Sequence, residues 1–235
     1  MLSYITERKT GKDSGNGQME PKEKIEIISR SPLFEGLSKE ECLTTYEDIK
    51  PQTRKYSRNE IIVGEGERMN FIGIVVSGKV RGEKFHMEGD VHLVYMYETE
   101  ELFGLDTAAT RTRIAPVTFL ADKNSSVLTV NMDRIMGSSM QGKLVLNMVR
   151  MLADENIRKL YKIEAISRRG LRDRIMTYLN IRQKKLGRNE FRIMMTQEQF
   201  AQYLCVNRSA LTWELAKMKK EGIIDFSKDS FILKE

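Results

Sequence analysis

Hydrogen-bonding side chains cluster at the start of an amphipathic segment near the C-terminus. Arg208, Ser209 and Thr212 fall in its first turns, and Trp213 and Lys217 follow at helical spacing. Arginine can bond guanine O6 and N7 together, and serine or threonine can bond several base edges. The chemistry that this pattern favours is noncovalent recognition of nucleic acid by a helix in the major groove.

The surrounding residues predict two helices joined by a tight turn at 205–206. Thr196 and Gln199 have the spacing of a capping box, so the first helix begins near Gln197. Asn207 is a good N-cap for the second helix, and Gly222 is suited to end it. The residues expected to contact DNA are Thr196, Gln197, Asn207, Arg208, Ser209, Thr212, Trp213 and Lys217.

Apolar residues in both helices repeat at the spacing of a buried face. They are Phe200, Ala201 and Leu204 in the first helix, and Leu211, Leu215 and Met218 in the second. The following sequence, IIDFSKDSFIL, contains two apolar runs around a polar turn and predicts a two-stranded wing. The segment therefore predicts a winged helix-turn-helix; an ordinary helical hairpin in a core is the alternative.

The excess positive charge lies entirely in the C-terminal part of the chain. Residues 167–235 contain 15 Lys and Arg and 8 Asp and Glu, whereas residues 1–166 contain 24 and 25. Neutralisation of phosphates requires such a concentration of cations. Candidates for phosphate contacts are Arg168, Arg169, Arg172, Arg174, Lys217, Lys219 and Lys220.

The elements before this region are short and separated by glycines. Residues 1–20 are polar and predict a flexible tail. Two helices, at 22–34 and at 38–49 with Ser38 as its cap, precede strand-like runs between 60 and 131. Many short strands with glycine turns predict an antiparallel roll or barrel.

A long helix is predicted at 138–166, where proline is absent. Its 4-3 spacing suggests a dimer seam formed by Val145, Val149, Leu152, Asn156 and Ile163. Other apolar residues, Leu144, Met148, Met151, Ile157 and Leu160, would pack on the roll. A core helix within one chain is the alternative that the same pattern allows.

Composition excludes several classes of protein. The chain has 235 residues, 40% of them apolar, with no long apolar run and no signal-peptide pattern, so we expect a soluble, cytoplasmic protein without membrane contact. Cys42 and Cys205 are far apart and predict reduced thiols. We find no nucleophile constellation, phosphate loop or paired-cysteine zinc motif, and therefore predict that the protein is not an enzyme.

Three segments occur in an order that resembles the Crp/Fnr family of bacterial transcription regulators: SPLFEGLSKEE, GEGERMNFIGIVVSGKV and VNRSALTWELAKMKKEGII. The resemblance covers residue 25 to the end. It implies an α+β fold with a β-roll of the cyclic-nucleotide-binding type, a double-stranded β-helix, at 21–137. A dimerisation helix would follow at 138–166 and a winged helix-turn-helix at 167–235. It also implies a homodimer on a palindromic operator, an effector bound at the roll, and RNA polymerase as a partner.

Departures from the family pattern bear on what is sensed. Leu105 stands where cyclic AMP-binding members have Glu, and Ala115–Pro116 stands where they have Arg-Ser or Arg-Thr. A buried phosphate without a cation is costly, which argues against cyclic AMP unless Arg111–Thr112 or Arg113 replaces the pair. The candidate effector pocket comprises Leu102, Phe103, Gly104, Leu105, Arg111 and Arg113.

Cysteine and histidine numbers limit the possible cofactors. Two cysteines cannot supply the four ligands of the iron–sulfur cluster that oxygen-sensing members carry. His86 and His92 flank Gly89 symmetrically, so a hairpin there would place them opposite each other. Two ligands make an incomplete metal site, and a solvated hairpin stem is the alternative, so no metal is predicted and the effector stays unidentified.

The recognition helix also departs from the family pattern, which has Arg-Glu at its start and a second Arg further on. Here the pair is Arg208-Ser209, and Trp213 takes the second Arg position. Trp213 would contact a thymine methyl or sugar, or lie against the neighbouring helix. The operator should therefore differ from those of the best-known members, and activation and repression both remain open.

Two other classes of function compete with a regulator. One is a β-roll that binds a metal or small ligand and contacts DNA without sequence preference, as an architectural protein does. The other is a metal-dependent enzyme of the cupin type, which would need a cluster of His and Glu ligands. The two histidines do not form the His-x-His pair of such enzymes.

Overall fold

The computed structural model describes residues 21–86 and 89–234, so the predicted tail at 1–20 lies outside the described residues. Helix α1 (Pro21–Arg30), a 3-10 turn (Pro32–Phe34) and helix α2 (Lys39–Ile49) come first. The predicted cap of α2 is confirmed. The Glu41 N–H donates to Ser38 Oγ at 3.2 Å, and the Ser38 N–H donates to Glu41 Oε2 at 2.9 Å.

Two four-stranded antiparallel sheets form the roll. The first has the order β1-β8-β3-β6 and the second β2-β7-β4-β5. The strands are β1 (Gln52–Tyr56), β2 (Ile61–Val63), β3 (Phe71–Ser77), β4 (Val80–Phe85), β5 (Val91–Tyr97), β6 (Leu102–Phe103), β7 (Thr118–Ala121) and β8 (Ser125–Asn131). Two short helices, α3 (Leu105–Ala108) and α4 (Met132–Met136), complete this part. The predicted antiparallel roll is therefore confirmed.

Aromatic rings fill the interior of the roll. The ring centroids of Phe103 and Phe119 lie 5.4 Å apart, and those of Tyr97 and Phe103 lie 5.9 Å apart. Gly73 makes this packing possible, because a Cβ there would lie 2.3 Å from a Phe103 ring carbon. The roll is thus a packed core whose shape depends on the missing side chain at Gly73.

Helix α5 (Gln141–Ile166) begins three residues later than predicted, because Ser138 and Ser139 bind the Asp48 carboxylate ahead of it. One face packs on the roll and N-terminal helices through Leu144 and Met148. The opposite face exposes an apolar stripe, which consists of Leu146, Val149, Ile157, Leu160 and Ile163. We refer to these five residues as the α5 stripe.

The α5 stripe differs in phase from the predicted seam. Val149, Asn156 and Ile163 are exposed, whereas Val145 and Leu152 are half-buried and Leu152 packs on the core of the roll. The expectation that Ile157 and Leu160 pack on the roll is wrong, since 46% and 52% of these residues are exposed. A straight helix drifts relative to a strict heptad, so sequence spacing alone misassigned the faces.

The C-terminal domain contains three helices and a small sheet. Its elements are α6 (Leu171–Leu186), β9 (Glu190–Arg192), α7 (Gln197–Tyr203), α8 (Arg208–Lys220), β10 (Ile224–Ser227) and β11 (Ser230–Leu233). The strand order is β10-β11-β9, antiparallel throughout. The predicted wing is therefore correct for β10 and β11 but omitted β9, a strand of only three residues. Among the described residues, no helix is long and apolar enough to cross a membrane.

We expect Gly73→Ala to destabilise the protein, because the added Cβ would displace the Phe103 ring from the centre of the roll. Overpacking of this kind typically costs ~1–3 kcal/mol in the free energy of unfolding, measurable by urea titration. Gly142→Ala is the control, since a Cβ at this site in α5 meets no atom within 4 Å. Equal stability of the Gly73 and Gly142 variants would contradict the assignment of Gly73 to a packing role.

Candidate functional site

Helices α7 and α8 meet at the turn that the sequence predicted. The predicted capping box is confirmed: the Gln199 N–H donates to Thr196 Oγ1 at 3.2 Å, and the Thr196 N–H donates to Gln199 Oε1 at 2.9 Å. Cys205 adopts a left-handed φ of 55° in the turn. The Val206 N–H then donates to the Ala201 carbonyl at 3.0 Å. These bonds fix the angle at which α8 leaves α7.

Helix α8 is anchored by the predicted buried residues Leu211, Leu215 and Met218, each 0% exposed. Asn207 is the N-cap of α8, as predicted, although its side chain makes no capping hydrogen bond. The side chain is exposed instead. Gly222 has a φ of 76°, and the Ile223 N–H donates to the Met218 carbonyl at 3.0 Å, which confirms the predicted helix end.

Polar residues cover the exposed face of α8. Arg208, Ser209 and Thr212 are all exposed, and Trp213 is 64% exposed. Lys217 Nζ lies 5.1 Å from the centre of the Trp213 ring, so the indole and the ammonium are adjacent on the surface. Trp213 therefore does not lie buried against the neighbouring helix, one of the two roles that the sequence left open.

Helix α7, the first helix of the helix-turn-helix, contributes the remaining candidates for DNA contacts. Thr196 is exposed and Gln197 is partly exposed, and the Thr212 hydroxyl lies 3.5 Å from Gln197 Oε1. The structure thus brings the start of α7 next to the start of α8. All eight residues singled out from the sequence lie on one side of this helix pair or at its turn, and none is fully buried.

Two of the four arginines ahead of the motif, Arg172 and Arg174, form hydrogen bonds with the helix-turn-helix. Arg172 donates to Glu214 Oε1 and to Glu221 Oε2, both at 2.6 Å, and these bonds raise its pKa above the ordinary value. Arg174 donates to the Leu204 carbonyl at 3.2 Å. These two side chains therefore hold α6 to α7 and α8, which removes them from the set expected to bind phosphate.

The C-terminal domain packs directly on the roll, a contact that the sequence did not predict. Helix α7 lies against β5, and Leu93 of β5 belongs to the hydrophobic core of the C-terminal domain. Gln199 Nε2 donates to Asp122 Oδ1 at 2.7 Å, and Lys79 Nζ donates to the Met194 carbonyl at 3.2 Å. We call this contact the α7–β5 interface.

Lys162 of α5 lies at the edge of the α7–β5 interface. Its ammonium donates to the Leu93 carbonyl and lies 4.5 Å from the centre of the Tyr203 ring. Burial lowers the pKa of Lys162 to about 8. The Lys162 side chain of α5 therefore contacts both the roll and helix α7.

A cavity of ≈ 180 Å³ separates α5 from the roll. Leu102, Gly104 and Leu105 line it, as predicted for the candidate pocket, whereas Phe103 points into the interior of the roll. Arg111 and Arg113 do not line it. Arg113 instead donates two hydrogen bonds to the Asp133 carboxylate, at 2.7 and 3.1 Å, and these bonds raise its pKa.

The interior of the roll lacks the features of a phosphate site. Ala115, which stands where cyclic AMP-binding relatives have Arg, is 1% exposed and packs among Phe103, Phe119 and Tyr97. Arg113, the alternative source of that cation, does not belong to this group of rings. Its guanidinium donates to the Asp133 carboxylate instead. Both observations argue against a cyclic phosphate in the interior of this roll.

The two histidines are adjacent but not directly opposite, so the predicted pairing about Gly89 is wrong: His92 is paired with Lys84, and the His86 N–H donates to the Asp90 carbonyl. His86 Nε2 and His92 Nδ1 lie 3.1 Å apart on the β4–β5 hairpin. Burial and the neighbouring His86 lower the pKa of His92. Within residues 21–86 and 89–234, no group of three or more metal-ligating side chains is present. Cys42 and Cys205 are free thiols, in agreement with the sequence prediction.

Comparison with protein families identifies two domains. Residues 53–137 match the cyclic nucleotide-binding domain, and residues 173–235 match the Crp-like helix-turn-helix domain. No curated protein matches the chain. The two matched domains have the same order as the roll and the winged helix-turn-helix described above.

Solved structures share this architecture at low sequence identity. FixK2 from Bradyrhizobium japonicum is 18% identical with a TM-score of 0.65, over 79% of this chain and 93% of its own. The c-di-GMP-responsive global regulator CLP from Xanthomonas campestris is 13% identical with a TM-score of 0.65, over 81% and 98%. A crp/fnr family regulator from Eubacterium rectale is 20% identical with a TM-score of 0.61, over 88% and 95%.

These structures support the fold alone, and the family assignment depends on the matched domains. An effector-binding type of roll, a long connecting helix and a Crp-like helix-turn-helix occur here in the order expected from the resemblance. The chain belongs to the Crp/Fnr family of transcription regulators.

Proposed function

We propose that the protein is a homodimeric, sequence-specific DNA-binding regulator whose affinity for its operator depends on an effector bound beside the roll. The observation that carries this proposal is the exposed polar face at the start of α8, on a domain with excess positive charge. Arg208 would read a guanine, and Lys217 would neutralise a phosphate. Trp213 would contact a thymine methyl or a sugar.

The α5 stripe supports the homodimer. Five large apolar side chains follow one another along one exposed helix face, each of them 46% to 57% exposed. A second copy of α5 would cover the same stripe, and Asn156 within it would fix the register of a parallel pair. A symmetric dimer would then read two half-sites ~34 Å apart on a palindromic operator.

The α7–β5 interface would couple the effector to DNA binding. The cavity and the interface both involve α5, through Glu155 at the cavity and Lys162 at the interface. An effector that binds one arrangement of α5 better than another would shift the population of C-terminal domain orientations. CLP is described as responsive to c-di-GMP. Five carboxylates and one guanidinium line the cavity of this chain, so an anionic ligand of that kind would be disfavoured here.

Further properties follow from the family. We propose RNA polymerase as a partner, the cytoplasm as the location, and no catalytic activity. The competing function is an architectural DNA protein with a ligand-binding roll. Selection of randomised duplex DNA at fixed, near-physiological salt separates the two, because only the regulator would enrich a two-fold-symmetric site.

We expect Arg208→Ala to weaken operator binding by ~1–3 kcal/mol, while affinity for random DNA falls much less, because the lost contact is to a base. Lys217→Ala should weaken binding to both DNAs alike and reduce the salt dependence of binding. Electrophoretic mobility shifts at several salt concentrations measure both effects. Equal losses on operator and random DNA for Arg208→Ala would remove Arg208 from base recognition.

We expect Leu160→Glu to convert the dimer to a monomer and to abolish high-affinity operator binding. The substitution would bury a carboxylate where the α5 stripes of the two copies meet. Light scattering coupled to size-exclusion chromatography measures the mass. Ile61→Glu is the matched control, because Ile61 is 57% exposed, close to the 52% of Leu160, but lies on the roll. A dimeric Leu160→Glu protein would show that the α5 stripe is not the interface.

We expect Lys162→Met to raise the melting temperature at pH 7, because burial of the charged ammonium opposes the α7–β5 contact. The lowered pKa of Lys162 means that this cost is complete below about pH 8 and disappears as the pH rises towards its ordinary value of 10.5. The difference in melting temperature between variant and wild type should therefore shrink over that range. Lys220→Met, at the exposed end of α8, controls for the loss of one lysine; a pH-independent difference at Lys162 would contradict the burial argument.

A further inference from the structure

The cavity between α5 and the roll is strongly acidic. Its lining contains one guanidinium, that of Arg158, and five carboxylates, those of Glu100, Glu101, Asp106, Asp154 and Glu155. Two cations outside the lining, Arg30 and Lys159, pair with Glu100 at 3.7 Å and with Asp106 at 2.9 Å. Even with these two counted, the carboxylates outnumber the cations by two. The field in the cavity therefore repels anions and attracts cations.

Glu155 is the carboxylate that lies deepest on the α5 side. Its side chain is 19% exposed, and its nearest cation, Arg158 Nη1, is 3.6 Å away. Arg158 also donates to Glu101 at the shorter distance of 3.0 Å. Burial raises the pKa of Glu155 despite this neighbour. The carboxylate is therefore desolvated and only partly compensated by the protein.

Tyr97 provides an independent indication of a ligand. The residue is 3% exposed and lines the cavity, yet its hydroxyl forms no hydrogen bond within the part of the chain that the structure describes. Burial, with the neighbouring carboxylates of Glu155 and Asp106, raises its pKa. The Tyr97 hydroxyl is therefore accessible from the cavity, where a bound molecule can supply its hydrogen-bond partner.

We propose that this cavity binds a small organic cation, an amine or a guanidinium compound, whose N–H groups donate to the Glu155 carboxylate and the Tyr97 hydroxyl. The inference depends on the proposed function, because the cation would be the effector. Leu102, Met151 and Leu152 supply apolar walls for its carbon chain. A volume of ≈ 180 Å³ holds on the order of ten water molecules, which fits a small metabolite.

The position of the cavity explains how such a ligand would act. Glu155 belongs to α5, whereas Glu101 and Asp106 belong to the roll. A cation between them would reduce the repulsion among these carboxylates and hold α5 closer to the roll. Lys162 follows two turns later on α5, at the α7–β5 interface, so a shift of the helix would reach the C-terminal domain.

Isothermal titration calorimetry of the full-length protein with putrescine and agmatine tests the proposal. We expect at least one of these probes to bind, and cyclic AMP to give no heat. Glu155→Gln should weaken binding of that probe about tenfold or more, because a charged hydrogen bond is lost. Tyr97→Phe removes a single oxygen and should also weaken it. Glu164→Gln, on the exposed side of the same helix and paired with Arg168, is the matched control and should bind as wild type does.

Absence of heat with both probes, or equal affinity in the wild type, Glu155→Gln and Tyr97→Phe, would overturn the cation site. Circular dichroism establishes that the variants are folded, and Tyr97→Phe decides the matter if Glu155→Gln does not fold. Operator affinity of the ligand-free protein is measured in parallel. Intact operator binding without probe binding overturns the ligand class alone, whereas probe binding without any operator preference supports the site and rejects the regulator function.

Discussion

The burial of one face of α5 is the interaction on which the rest of the structure depends. Leu144 and Met148 pack into the same core as the N-terminal helices and the first sheet of the roll. Asn147 adds hydrogen bonds to the Leu33 and Glu35 carbonyls, at 3.0 and 2.9 Å. With this face fixed, the helix must present its other apolar residues to solvent, form one wall of the acidic cavity, and carry the C-terminal domain at its end.

Features that depend on neighbouring residues could be predicted from the sequence. The capping boxes at Ser38 and Thr196 each join residues three apart, and the end of α8 at Gly222 depends on one left-handed residue. The buried triplet of α8 follows from helical periodicity. Because such signals are local, they located the helix-turn-helix and its exposed polar face without any knowledge of the remaining fold.

Features that depend on distant residues could not be predicted in this way. The cavity joins residues 100–106 to residues 151–158, and Arg172 is bound by Glu214 and Glu221, more than forty positions away. Strands β1 and β9 are short and largely polar, so their pairing partners, not their composition, make them strands. The phase of α5 was misjudged because two apolar faces on one helix give overlapping patterns.

The two domains of this chain share part of their interior. Leu93 of β5 is 0% exposed and belongs to the same hydrophobic cluster as Phe200 and Leu204 of the helix-turn-helix. A DNA-binding domain with a core that extends onto its neighbour is not an interchangeable module. Transfer of this domain to another roll would leave apolar surface on α7 uncovered, so a chimera that keeps the helix-turn-helix would also need an apolar residue at the position of Leu93.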